Sequence, residues 1–190
     1  MTRGLASAVA VLALAAAWLT PWGAIAGPFP AFMARHMILV AIAAPALVLA
    51  APGLARAAAV PVLAGALIEF LVVWGWHLPR LHTGAQGSVP VFVAEQTMFL
   101  AAGLLVWAGA LAAREPLAGA GGLLLTSMHM TLLGALLVLA PRDLYAAAAG
   151  RPADLAGQQA GGLLMLAIGT PAYLAGGLAL VARALGSRPA

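Results

Sequence analysis

Cysteine is absent from the 190 residues. That removes disulfides, zinc–thiolate sites and thiol catalysis, and leaves His, Met or oxygen ligands for any metal. Charge is almost as scarce. Only 7% of residues are charged, against about 25% in an ordinary globular protein, and so poor a surface would not keep a chain dispersed in water. A soluble enzyme is excluded on that ground. All nine basic residues are Arg, set against five acids for a net charge of +4. They stand singly between apolar segments, without a basic run or stripe, so no nucleic-acid partner is expected. A Gly-rich phosphate loop, a Ser-His-Asp pattern and an HExxH signature are also missing, and no enzyme is expected.

What remains is 64% hydrophobic, with a mean hydropathy of +1.05. Six apolar segments are predicted to be helices, at residues 4–20, 31–51, 58–78, 90–113, 117–140 and 157–184. Each is long enough to cross a bilayer, and together they would take roughly 120 positions. The predicted fold is therefore all-α: one polytopic helix bundle in the lipid bilayer, a single transmembrane domain over 1–190. Pro or Gly marks the boundaries at Pro21, Pro28, Pro52-Gly53, Pro79, Pro90, Pro116 and Pro141, where a missing backbone donor costs little. Pro45 and Pro171 fall inside spans and predict kinks. Arg3, an apolar run and Ala24-Ile25-Ala26 before Gly27 also fit a signal peptide, but the run is long for that role, and a retained helix is expected. An inside N-terminus puts Arg3, Arg56, Arg114, Arg183 and Arg188 in the cytoplasm and leaves Arg35, Arg80, Arg142 and Arg151 outside, the orientation that the positive-inside rule weakly favours.

In that topology most polar side chains fall near one membrane face. His36 lies near the outer start of the second helix, His77 at the outer end of the third, Glu95 and Gln96 about a turn and a half into the fourth, and Gln158 at the opening of the sixth. His82 reads as a solvated loop residue. Glu69 lies about 12 Å below His77 at the rise of a helix, and His129 roughly 16 Å deep on the fifth helix, so these two reach similar levels. Ionisable groups within a membrane are costly unless paired, neutral or hydrated, which makes them functional candidates. Met33, His36 and Met37 share one side of the second helix by their spacing, as do Glu95, Met98 and Phe99 on the fourth. Met128 and Met130 lie about 200° apart and cannot face one site. Thioethers and imidazoles together suit Cu(I), so Met33, His36, Met37 and His77 are candidate copper ligands. Glu95, Gln96, Gln158, His129 and Glu69 are possible supporting groups.

Several motifs carry a resemblance. Phe32-Met-Ala-Arg-His-Met-Ile-Leu-Val-Ala-Ile-Ala-Ala-Pro45, Trp76-His-Leu-Pro79, Glu95-Gln-Thr-Met-Phe-Leu with Trp107 downstream, Gly134-Ala-Leu-Leu with Leu144-Tyr145, and Gln158-Gln-Ala-Gly-Gly-Leu-Leu-Met165 follow one another in order. Over about residues 31–175 the chain resembles the CtaG cytochrome c oxidase assembly factors. The resemblance implies a multi-pass protein of the bacterial cytoplasmic (inner) membrane, with haem-copper oxidase subunits as partners, that assists copper insertion or scaffolds assembly. His36, His77 and Gln158 match family positions. The chain departs from the pattern at Phe32 and Gln96, where the family usually has His, at Gly157, where it has Asp, and at Leu166, where it has Trp. Two other readings fit the composition: a structural accessory subunit of a respiratory complex, and a haem-binding membrane protein using His77 with His36 or His129.

Overall fold

The computed structural model describes residues 2–186, and among these the secondary structure is helical, without strands. Arg188, used above in the charge balance, lies outside the described residues. Helix α1 (Arg3–Leu19) buries Ala6, Ala10, Ala13 and Ala17. This stripe of methyl groups lets a neighbouring backbone come close, while Leu12 and Leu19 stay exposed. Thr2 caps the helix by accepting the Leu5 N–H at 3.4 Å, and Pro21 follows its end. A short α2 (Trp22–Ala26) leads to Gly27, whose φ of +86° suits a residue without a side chain.

The second span runs from Pro28 to Ala50 in three parts: α3 (Pro28–Met37), a π-helical segment (Ile38–Ala43) and α4 (Ala44–Ala50). Pro28 starts it at the first helical position, where its missing N–H is harmless. Pro45 has the opposite effect. It offers no N–H to the carbonyl one turn earlier and its ring crowds that carbonyl, and the wide π turn lies immediately before it. One freed carbonyl, that of Val40, accepts the Trp107 indole N–H at 2.9 Å. A neighbouring helix thus satisfies backbone that the proline has disturbed.

The third segment differs from expectation. A straight helix over 58–78 is replaced by α5 (Pro52–Ala58) and α6 (Val62–Trp76), bent 83° from one another. Pro61 is the reason: the residue before a proline avoids helical geometry, and Ala59 is already extended at φ −71°, ψ 108°. Helices α8 (Val89–Ala112), α9 (Pro116–Leu139) and, after the single turn α10 (Ala146–Ala149), α11 (Leu155–Gly186) match the remaining predictions closely, and α11 continues through Pro171 without a break. Among the described residues, four helices are thus long and apolar enough to span a bilayer, or five if the bent pair counts as one. Six was the expectation. The shortfall is α1, whose 17 residues reach only about 26 Å.

Glycines let α9 and α11 come close. Gly134 of α9 and Gly162 of α11 face one another, and a Cβ on Gly162 would lie 2.8 Å from the Gly134 carbonyl oxygen. The bundle inverts the usual distribution of side chains. Leucines cover its outside, while His36, Glu69, His77, His82, Glu95, Gln96, Thr126, His129 and Gln158 are buried within it, as expected when lipid takes the place of water.

Candidate functional site

Helix α3, the C-terminal end of α6 and the first turns of α8 bring two histidines together. The imidazole centroids of His36 and His77 lie 5.3 Å apart. His36 has no exposure and neither ring nitrogen has a hydrogen-bond partner. Phe99, fully buried, stacks on it at 4.1 Å with the rings 20° from parallel. His77 is fixed differently. Its Nδ1 lies 2.6 Å from the Val73 carbonyl oxygen, and since a carbonyl only accepts, Nδ1 carries the hydrogen. Nε2 therefore keeps its lone pair, buried and without a partner. An imidazole held by one N–H on a backbone carbonyl, with its other nitrogen free, has the orientation of a metal ligand.

Phe32 stands in the middle of this region. Its ring centroid is 4.4 Å from that of His82, 5.2 Å from His77 and 6.2 Å from His36. His82 is not the solvated loop residue expected. Pro79 starts a short helix, α7 (Pro79–Gly87), which folds His82 inward against Phe29, Phe32 and Tyr145, leaving it 1% exposed. Its Nε2 accepts a hydrogen bond from the Gln86 side-chain amide at 2.8 Å, so its lone pair is engaged. Burial, with help from His77 and Arg151 and against the opposing pull of Asp143, drives the His82 pKa down to about 3.

Next to the histidines lies a cavity of about 430 Å³, bordered by Phe32, Arg35, His82, Phe92, Glu95 and Gln96 among others. Gln96 donates to Glu95 Oε2 at 3.1 Å and accepts from the Trp18 indole at 3.4 Å. Glu95 Oε1 is buried without a partner.

The other candidates go elsewhere. Met33 and Met37 lie against Gly161 and Gly169 of α11, whereas His36 faces α6 and α8. Met98 is 42% exposed. Met128 is exposed and Met130 buried, on opposite sides as their spacing required. His129 packs edge-on against Phe70 at 5.4 Å, and both its nitrogens lack partners. Glu69 accepts the Tyr173 hydroxyl at 2.7 Å and lies beside Thr126, one turn from His129 on α9, so the expected match of depth holds. Tyr173 in turn stacks on Trp107 at 5.2 Å. Among the described residues no set of three or more His, Asp or Glu is arranged to hold a metal.

Gln158 is fully occupied. Its amide donates to the carbonyls of Leu137 at 3.0 Å and Arg142 at 3.5 Å, and its oxygen accepts the Leu144 N–H at 2.8 Å. Asp143 binds the N–H groups of Tyr145, Ala146 and Asp154 and pairs with Arg151 at 3.1 Å. Burial opposes its ionisation, but these backbone hydrogen bonds and Arg151 together hold its pKa below the ordinary carboxylate value. The clasp presents Tyr145, whose hydroxyl donates to the His77 carbonyl at 3.0 Å. Sequence reasoning singled out neither Tyr145 nor Phe99 nor Arg35 as a site residue. Their signals were present: Tyr145 closes the fourth motif, Phe99 is one turn from Glu95, and Arg35 adjoins His36.

A multi-span helical bundle with a pair of imidazoles buried among its helices defines a polytopic membrane protein. Its sequence matches the family profile of the cytochrome c oxidase caa3 assembly factors, Caa3_CtaG, over residues 1–187. The chain belongs to that family, one of assembly factors for caa3-type oxidase rather than of enzymes. No curated protein and no solved structure matches it.

Proposed function

We propose that this chain serves oxidase assembly by handling copper, with Cu(I) as its cargo and His36 and His77 as the donors that receive it. One observation carries the reading: two buried imidazoles 5.3 Å apart, each with a nitrogen free of hydrogen bonds. Cu(I) accepts few ligands and favours imidazole and thioether over oxygen. A pair suffices where a hard cation would need more donors. Met33 and Met37, on the same helix, pack against Gly161 and Gly169 and would join the pair only through repacking. In a bacterial cytoplasmic membrane the end of the bundle that carries the cavity would open to the periplasm, with α1 completing a sixth crossing.

The purified protein is expected to bind about one Cu(I). His36→Ala together with His77→Ala should abolish that binding, and unchanged stoichiometry in the double variant would reject these ligands. A second reading has its own support. The positions where the family pattern has further ligand-type side chains are Phe32, Gln96 and Gly157 here, and no three-ligand set is found among the described residues. A scaffold packing through its Gly and Ala faces against oxidase subunits would co-purify with them and ignore both substitutions. Haem is less well served, because Phe32 and Phe99 pack against both imidazoles where a porphyrin would need a flat slot.

A further inference from the structure

Arg35 and Glu95 border the same cavity. They form no ion pair with one another; the ion pair found among the described residues is Arg151–Asp143. Each has binding capacity left over. Glu95 is 1% exposed and its Oε1 has no hydrogen-bond partner. The Arg35 guanidinium carbon lies over the Phe92 ring, 5.8 Å from its centroid, and a cation–π contact leaves N–H groups for other partners. An acid and a base that share a cavity without closing on each other suit a ligand that itself carries both signs, whose cationic N–H would hold the acid as a carboxylate and whose oxyanion would meet the guanidinium.

The cavity also has a lateral extension. It shares Arg35, Phe92 and Gln96 with a neighbouring cavity of about 510 Å³ that reaches Trp18 and Val93, which are 46% and 54% exposed on the flank of the bundle. Arg35 lies seven residues into its helix from Pro28 and Glu95 six into its own from Val89, so both charges sit about 10 Å in from the same end. A chamber that carries a few polar side chains near the end of the spans, adjoining a more apolar opening on the flank, suits a headgroup with its acyl chains leading out between helices.

We propose that this chamber binds the phosphoethanolamine headgroup of a membrane lipid, with phosphate on Arg35 and primary ammonium on Glu95. The proposal is independent of the copper reading. It fixes a selectivity. A quaternary ammonium has no N–H to give Glu95 Oε1, and a glycerol headgroup has no cation, so phosphatidylethanolamine is bound in preference to phosphatidylcholine and phosphatidylglycerol.

The test is native mass spectrometry of the full chain offered an equimolar mixture of the three lipids. Wild-type protein should retain phosphatidylethanolamine about tenfold over the others, the worth of one charge-assisted hydrogen bond. Glu95→Gln should lose the discrimination against phosphatidylcholine, and Arg35→Gln should weaken retention of all three. Equal retention by wild type, or an undiminished preference in Glu95→Gln, overturns the assignment. Should Glu95→Gln fail to fold, Arg35→Gln decides alone, and unchanged retention refutes the site. Soluble phosphoethanolamine supplies the remaining arm. Binding of the free compound as tight as that of the lipid overturns the lipid assignment, and lipid retained against a large excess of it supports that assignment.

Discussion

Two polar regions lie close together at one end of this bundle and are built in opposite ways. In the clasp, Gln158 and Asp143 bind backbone groups of the 137–154 stretch through both ends of their side chains. Among the histidines, both nitrogens of His36 and one each of His77 and His82 are buried without a partner. Buried polar atoms are nearly always hydrogen-bonded, and leaving one orphaned costs about 1–3 kcal/mol. The clasp thus holds backbone together, whereas the histidine cluster spends few of its polar atoms on the fold. Tyr145 joins the two, since the clasp positions its hydroxyl on the His77 carbonyl.

The difference is open to experiment, and the clasp should give the largest effect. Gln158→Leu leaves the Leu137 carbonyl and the Leu144 N–H without their partner. At roughly 1–3 kcal/mol for each orphaned group, thermal unfolding in detergent should show a loss of several kcal/mol or no folded protein at all. A variant as stable as wild type would remove the clasp from the structural side of the comparison.

Acid should have an intermediate effect, acting through His82. Its folded pKa of about 3 lies below the ordinary value of 6.5, so between the two the unfolded chain binds the proton more readily. Stability rises with pH wherever that holds. The contribution is complete above about pH 6.5 and is lost progressively as pH falls towards 3. Melting temperature followed over that range should decline in wild type and stay flatter in His82→Phe; parallel curves would show that His82 is not held neutral by its burial.

The smallest effect on stability belongs to His36→Leu. Removing two orphaned nitrogens in favour of an apolar group of similar size is close to neutral or slightly stabilising, within about 1 kcal/mol. The same variant should lose Cu(I) binding. Marked destabilisation would mean that the imidazole holds the core together, and the division between the two regions would fail there.

Much of the architecture was legible because a membrane rewards simple patterns. Apolar runs bounded by Pro and Gly located α8, α9 and α11 within a few residues, and the turn per residue of a helix correctly set Met128 against Met130. The break before Pro61 was written in the sequence as well, but a hydropathy run passes over a single proline. His82 was misplaced because a charged-looking segment between two spans reads as solvated loop, and nothing local tells that Phe29, Phe32 and Tyr145 close over it.

The sequence by itself therefore determined the solvent of this protein, the approximate course of its long helices and the end of the bundle where polar groups collect. These follow from composition and period, which act within one segment. Tertiary structure alone decided which polar groups meet. Helical spacing places Met33, His36 and Met37 on one side, yet only the packing of α6, α8 and α11 sends the imidazole towards His77 and the thioethers towards glycines. A pairing between helices far apart in the chain depends on the shapes of all the side chains between them, and no local pattern records that.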